Sequence, residues 1–219
     1  MTGRAAASRA GAVVLQANGS AHEAGMRIVG GRLRGRALAV PKDNRVRPTS
    51  DRVREAIFNI LAHGIEDFDL AGANVLDLFA GTGALGIEAI SRGAAQAVFV
   101  DNDAASRALI QENVEAFGLG GVATIYRRSA LELGSAYRRL SFQLVFADPP
   151  YGKGLGEQAI TAAIRDGWLD ESAVIVIEES ADHELAWPAG CRQIDQREYG
   201  STQIAIAVFS NAADSSPPE

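Results

Sequence analysis

Two groups of residues in this sequence have the types and spacing to do chemistry. The first is Asp77-Leu78-Phe79-Ala80-Gly81-Thr82-Gly83-Ala84-Leu85-Gly86, followed by Asp101 and Asn102. Gly81, Gly83 and Gly86 form a G-x-G-x-x-G pattern between an apolar run and a helix-forming run, and Asp101 closes the next apolar run. Small residues there let the backbone approach a ligand, and a carboxylate at the next strand end can accept both hydroxyls of a ribose. The second group is Asp148-Pro149-Pro150-Tyr151, directly after the apolar residues 144–147. Two prolines stop strand pairing and lock the backbone. A rigid turn of this kind suits methylation of an amino group conjugated to a ring, a poor nucleophile because its lone pair is delocalised. Asp148 can accept one N–H, and the Pro149 carbonyl, aimed by Pro150, the other. The nitrogen is then held in line with a methyl donor. Tyr151 offers a face on which a base can stack.

The glycine pattern also fits a dinucleotide. Three features favour S-adenosylmethionine (SAM). Asp77 lies inside the strand, where it could receive the ammonium of a methionine moiety but would repel a pyrophosphate. The loop follows a basic N-terminal segment. The chain also ends in a hairpin pattern rather than a second mononucleotide-binding half. A purely structural glycine turn is the remaining alternative.

The elements that must position these groups alternate along the chain. Strands are expected at residues 75–79, 97–101, 122–126, 142–147 and 173–178, with helices at 82–92, 104–117, 130–137 and 156–166. Alternation of apolar strands and helices predicts a parallel sheet covered on both faces. Residues 192–199 and 202–209, separated by Gly200-Ser201, predict an antiparallel hairpin that closes it. Upstream, residues 26–29 and 37–40 predict two short strands. A helix is expected from about residue 51 to 62, with Thr49 and Ser50 as capping candidates. Val53, Ile57, Ile60 and Leu61 share its apolar face, which leaves Arg52 and Arg54 off that face.

Composition limits the alternatives. The chain has 219 residues, 47% hydrophobic and 22% charged, which excludes collagen-like, wholly disordered and coiled-coil classes. No apolar run approaches the roughly 20 residues of a membrane helix. Cys191 is the single cysteine, so no internal disulfide forms; this fits a reducing, cytoplasmic setting. One cysteine and three scattered histidines predict no structural metal. The net charge is −6, yet residues 26–56 carry nine basic side chains, eight of them Arg, against three acidic ones. An acidic body with a cationic segment points to a polyanion partner, and Arg suits phosphate forks and base stacking. Arg27, Arg32, Arg34, Arg36, Arg47, Arg52 and Arg54 are the RNA-binding candidates. Residues 1–25, rich in Ala, Gly and Ser, are expected to be a disordered extension, and residues 210–219 a disordered tail.

The glycine loop and Asp-Pro-Pro-Tyr, in this order, resemble the SAM-dependent amino-methyltransferases. The upstream motifs narrow this: Arg27-Ile28-Val29-Gly30-Gly31, Arg34-Gly35-Arg36 and Arg47-Pro48-Thr49-Ser50-Asp51-Arg52-Val53-Arg54-Glu55. With Gly167-Trp168-Leu169, they are similar to the bacterial 16S rRNA (guanine(966)-N(2))-methyltransferase family across about residues 26–209. The resemblance implies an α/β, Rossmann-like class I methyltransferase. Its seven-stranded sheet would be mostly parallel, with residues 26–65 as a basic RNA-facing module and 66–209 as the SAM-dependent domain. It implies SAM as cofactor, methylation of guanine N2, and 16S rRNA in the small ribosomal subunit or its precursor as partner. Asp77, Phe79, Ala80, Gly81, Thr82 and Gly83 would meet the methionine end of SAM. Asp101 would bind the ribose, and Asn102 would lie beside the adenine. Ser129-Ala130 would sit at the adenine amino group; Ser129 stands where the family usually has Asp or Asn, and its hydroxyl bonds more weakly than a carboxylate. Asp148, Pro149, Pro150 and Tyr151 would hold a flipped guanine. Competing readings are a DNA or protein-glutamine amino-methyltransferase and a non-catalytic RNA-binding assembly factor.

Overall fold

The computed structural model describes residues 25–41, 50–136 and 140–211. The expected extension up to residue 24, Arg47, Thr49 and residues 212–219 of the tail lie outside the described residues.

Seven strands form one sheet in the order β3-β2-β1-β4-β5-β7-β6. In chain order these are β1 (Asn74–Leu78), β2 (Gln96–Val100), β3 (Ala123–Tyr126), β4 (Phe142–Ala147), β5 (Leu169–Ser180), β6 (Cys191–Tyr199) and β7 (Thr202–Phe209). The first five pair in parallel. β7 runs antiparallel between β5 and β6. The helices are α1 (Asp51–His63), α2 (Ala84–Ser91), α3 (Ala104–Phe117) and α4 (Leu155–Arg165).

Alternation along the strands divides the core in two. Val75, Phe99, Leu144 and Phe146 join one apolar cluster with Ile87 of α2 and Ile110 of α3. Leu76, Leu78, Val98 and Val145 join the other, with Ile160 of α4 and Trp168. Met26, Ile28, Leu33 and Leu38 of the N-terminal strap belong to the first cluster, as do Ile57 and Leu61 of α1.

Two expectations need correction. The strap makes a single antiparallel bridge, Arg27 to Ala37, rather than two strands. Several of its other amides bond within the strap, among them Ile28 N–H to the Arg36 carbonyl and Leu38 N–H to the Met26 carbonyl, and three go to side chains of the helices beneath it. Val29 N–H donates to Glu88 Oε2 at 2.8 Å, Leu33 N–H to Ser91 Oγ at 2.9 Å and Ala39 N–H to Asn113 Oδ1 at 2.7 Å. The helix expected at residues 130–137 is also absent among the described residues. Gly134 takes a φ of 66° and its carbonyl accepts the Trp168 indole N–H at 2.7 Å. Ala136 N–H donates to the Asp166 carbonyl, so this backbone pairs with the α4–β5 turn instead of with itself.

Candidate active site

The site forms at the carboxyl ends of β1, β2, β4 and β5, where open α/β sheets bind ligands. β1 and β4 are neighbours, with Leu78 opposite Ala147. The glycine loop after Leu78 and the Asp148 turn after Ala147 therefore start side by side. Asp148 N–H points at the Leu78 carbonyl at 3.4 Å.

The loop after β1 is built from left-handed backbone. Phe79 has φ 57°, Gly81 φ 57° and Gly83 φ 77°. A bulky residue in this region is strained, and such strain collects at ligand sites. Gly83 is also the N-cap of α2, so the helix starts at Ala84 rather than at Thr82. Gly86 has a steric role: a Cβ there would lie 2.4 Å from Phe99 Cε1 and 3.0 Å from Asp77 Oδ2. Asp77 lies beneath the loop, 2% exposed, with Oδ2 accepting the Gly86 N–H at 2.9 Å. Burial pushes its carboxyl up to about 8; the Gly86 bond opposes this and the Asp101 charge adds to it. A buried acid of this kind ionises readily only when a cation arrives.

Asp101 follows β2. Its Oδ2 accepts the Gly81 N–H at 2.9 Å and its Oδ1 the Asp103 N–H at 2.8 Å. It is half-buried, and Asn102 beside it is exposed. After β3, Ser129 Oγ accepts the Leu131 N–H at 3.2 Å, and Ala130 is buried. The first of these puts part of the Ser129 hydroxyl's capacity into a local turn. Ala80 and Thr82 are buried.

The second half of the site is the turn after β4. Asp148 is half-buried, Pro149 buried and Pro150 exposed. The Tyr151 hydroxyl donates to Glu178 Oε1 at 2.6 Å and lies 3.3 Å from Thr202 Oγ1. Burial and the Glu178 carboxylate push this phenol above the ordinary tyrosine range. Gly152 N–H donates to Glu179 Oε1 at 2.8 Å. The sequence reading missed Glu178, Glu179 and Thr202. The available signal was two acids in succession after the apolar residues 173–177, at the same sheet edge as Asp148.

The arginine candidates separate. Arg27, Arg32, Arg34, Arg36 and Arg52 are exposed. Arg36 also lies 4.4 Å over the Phe117 ring and donates to the Ala116 carbonyl at 2.5 Å. Arg54 must be withdrawn as an RNA-contacting side chain. It is fully buried, donating to the Arg27 carbonyl at 2.5 Å and to Asp51 Oδ1 at 2.6 Å. The strap covers the flank of α1 that a helical projection leaves open.

A sheet in this strand order, with an antiparallel last pair, a glycine loop after β1 and an acid after β2, defines a class I methyltransferase fold. The chain belongs to the family described as Conserved hypothetical protein 95, whose model matches residues 26–208. It is 39% identical over 188 residues to Ribosomal RNA small subunit methyltransferase D of Escherichia coli, covering 86% of this chain and 91% of that protein. The solved E. coli protein yhhF superposes with a TM-score of 0.72 at 34% identity, over 84% of this chain and 98% of that one. At the level of the fold alone, it matches an RNA methyltransferase from Salinibacter ruber, solved with S-adenosyl-L-homocysteine. There the TM-score is 0.57 at 14% identity, over 78% of this chain and 99% of that one.

Proposed function

We propose that this protein methylates the exocyclic N2 amino group of a guanine in 16S ribosomal RNA, using SAM, on the small ribosomal subunit or its precursor in the cytoplasm. The observation that carries the reading is the adjacency of two devices at one sheet edge. The glycine loop is tied to Asp101, and the Asp148–Tyr151 turn starts beside it, with Leu78 opposite Ala147. The relatives named for small-subunit rRNA methylation support the substrate.

The residues present fit SAM. Asp77 is a buried acid whose Oδ2 is committed to Gly86, which leaves Oδ1 to meet an ammonium. Phe79, Ala80, Gly81, Thr82 and Gly83 would surround the methionine end, and Asp101 would accept from the ribose hydroxyls. Asn102, Ser129 and Ala130 would border the adenine. Bound there, SAM supplies an electrophilic methyl group on a sulfonium that departs neutral, so the transfer needs no Lewis acid.

The chain's own residues do the rest. Asp148 and the Pro149 carbonyl accept the two N–H bonds of the target amino group and aim its lone pair. Pro150 fixes the turn, and the Tyr151 ring carries the base. The amino proton becomes acidic only as the new bond forms and leaves late, to water or to Asp148. Arg27, Arg32, Arg34, Arg36 and Arg52 hold phosphates, and Arg47 is a further candidate from the sequence.

Labelled SAM offered with small-subunit particles, protein-free 16S rRNA, naked DNA and glutamine-bearing protein tests the reading. The expected product is N2-methylguanosine in the rRNA, identified after nuclease digestion by mass spectrometry. Label confined to DNA, to protein or to another base position overturns it.

A further inference from the structure

A tyrosine ring serves as a stacking platform only if its plane is fixed, and Tyr151 lies in a turn with an exposed Pro150 before it and an exposed Gly152 after it. What fixes it is on a different part of the chain. Glu178 and Thr202 come from the neighbouring antiparallel strands β5 and β7. Thr202 is registered opposite Ser180, two residues beyond Glu178. The alternation of side chains along a strand puts Glu178, Ser180 and Thr202 on one face, with Glu178 and Thr202 as diagonal neighbours. Both are 6% exposed, and the Tyr151 hydroxyl reaches both, at 2.6 Å and 3.3 Å. The next residue, Glu179, is 0% exposed and holds the Gly152 N–H at 2.8 Å. Two successive residues of the turn are therefore gripped by two successive carboxylates at the end of β5.

We propose that Glu178 is a positioning residue for base recognition: its carboxylate sets the plane of the Tyr151 ring against which the target base stacks. This rests on the reading of Tyr151 as the base-stacking residue. Glu178 touches no reacting atom; it acts through the phenol. The same bond keeps the phenol protonated, since burial and the nearby carboxylate raise its pKa. Tyr151 thus presents a neutral ring and takes no proton from the amino group.

The test is single-turnover methyl transfer at saturating SAM and RNA for the wild type, Glu178→Ala, Glu178→Gln, Tyr151→Phe and the Glu178→Ala/Tyr151→Phe pair. SAM affinity, RNA affinity and melting temperature are measured for each. Misplacement of a bound substrate by about 1 Å can cost ~100-fold, so Glu178→Ala and Tyr151→Phe should each slow transfer roughly 10- to 100-fold. The double variant should be no slower than the worse single, because both remove one contact. Glu178→Gln, whose amide oxygen still accepts from the phenol, should stay within about threefold of wild type. SAM and RNA affinities should stay within about twofold, because phosphate contacts dominate RNA affinity. Wild-type rates in Glu178→Ala or in Tyr151→Phe, or multiplying losses in the double variant, overturn the proposal. So does a loss of SAM affinity that tracks the loss of rate. Tyr151→Phe keeps the test open if Glu178→Ala fails to fold. A wild-type protein that methylates no RNA overturns the underlying function instead.

Discussion

The Asp101 carboxylate accepts the Gly81 N–H at 2.9 Å across 20 residues of sequence. This bond joins the end of β2 to the loop after β1, so two walls of the crevice share one hydrogen bond. The other Asp101 oxygen takes the Asp103 N–H, which sets the start of α3. Asp101 therefore shapes the crevice before any ligand arrives. Carboxylate oxygens have further lone pairs, so ribose hydroxyls can add to these bonds without displacing them.

Binding of SAM should release a proton from Asp77. The Asp77 carboxyl is pushed up to about 8 by burial, so it holds its proton at pH 6.5. The incoming α-amino group, with an ordinary pKa of about 8, is charged at that pH. An ammonium beside Asp77 lowers its pKa, so affinity rises with pH through the range below 8. Calorimetry in buffers of different ionisation heat should find about one proton released at pH 6.5. Asp77→Asn should release none and bind SAM roughly 10- to 100-fold more weakly, the size of a lost charged hydrogen bond. Proton release unchanged in Asp77→Asn would assign the titration to another group.

Gly86→Ala should destabilise the fold, although alanine is the better helix former. The added Cβ would lie 2.4 Å from Phe99 Cε1, and Phe99 is a core residue, 0% exposed. Overpacking of this kind costs about 1–3 kcal/mol. Thermal unfolding should show a drop of several degrees, with weaker SAM binding because Asp77 Oδ2 is displaced as well. A melting temperature equal to wild type would mean that the loop shifts freely.

Asp148→Ala should lower the single-turnover rate by about 10²–10³-fold, the ~2–4 kcal/mol typical of one positioned transition-state contact. Asp148→Asn should keep a measurable part of the activity, because an amide oxygen still accepts from the amino group. A general base would give the opposite pattern, with Asn as damaging as Ala. Equal rates in the two variants would end the alignment account.

Arg54→Ala and the pair Arg32→Ala/Arg34→Ala should fail in different ways. Arg54 is buried and bonded to the strap, so its loss should cost about 2–3 kcal/mol of stability, read by denaturant unfolding. Arg32 and Arg34 are exposed. Their removal should leave stability and SAM affinity unchanged, weaken RNA binding and flatten its dependence on salt. An unchanged salt slope would take the strap out of the RNA-facing surface.

Much of this architecture is legible in the sequence because its signals are local. The strand–helix alternation, the left-handed turn at Gly81 and Gly83, and the Pro149-Pro150 stop each act within a few residues of themselves. Arg54 was misplaced because a helical projection knows only its own helix, whereas the strap arrives from another part of the chain to cover it. The strap was read as two strands because its residues are apolar and bounded by glycines. Three of its amides instead find Glu88, Ser91 and Asn113, which no local pattern announces. Glu178 escaped notice for the same reason: its partner, Tyr151, is 27 residues away. The expected helix after β3 lost to a tertiary competitor, the Trp168 indole, which claims the Gly134 carbonyl.

The strap's partners also set an order of events during synthesis. Val29, Leu33 and Ala39 donate to residues 59, 58 and 74 positions further along the chain. Asn113, which takes the last of these, also donates to the Thr82 carbonyl on the glycine loop at 3.0 Å. The N-terminal arginines leave the ribosome first, yet their backbone has nothing to dock on until α2 and α3 have been made. Closing contacts over such separations is slow compared with forming a helix. Until then the nascent chain carries this positive charge on undocked backbone. It acquires an ordered cationic surface only when the glycine loop is in place, so the strap and the crevice mature together.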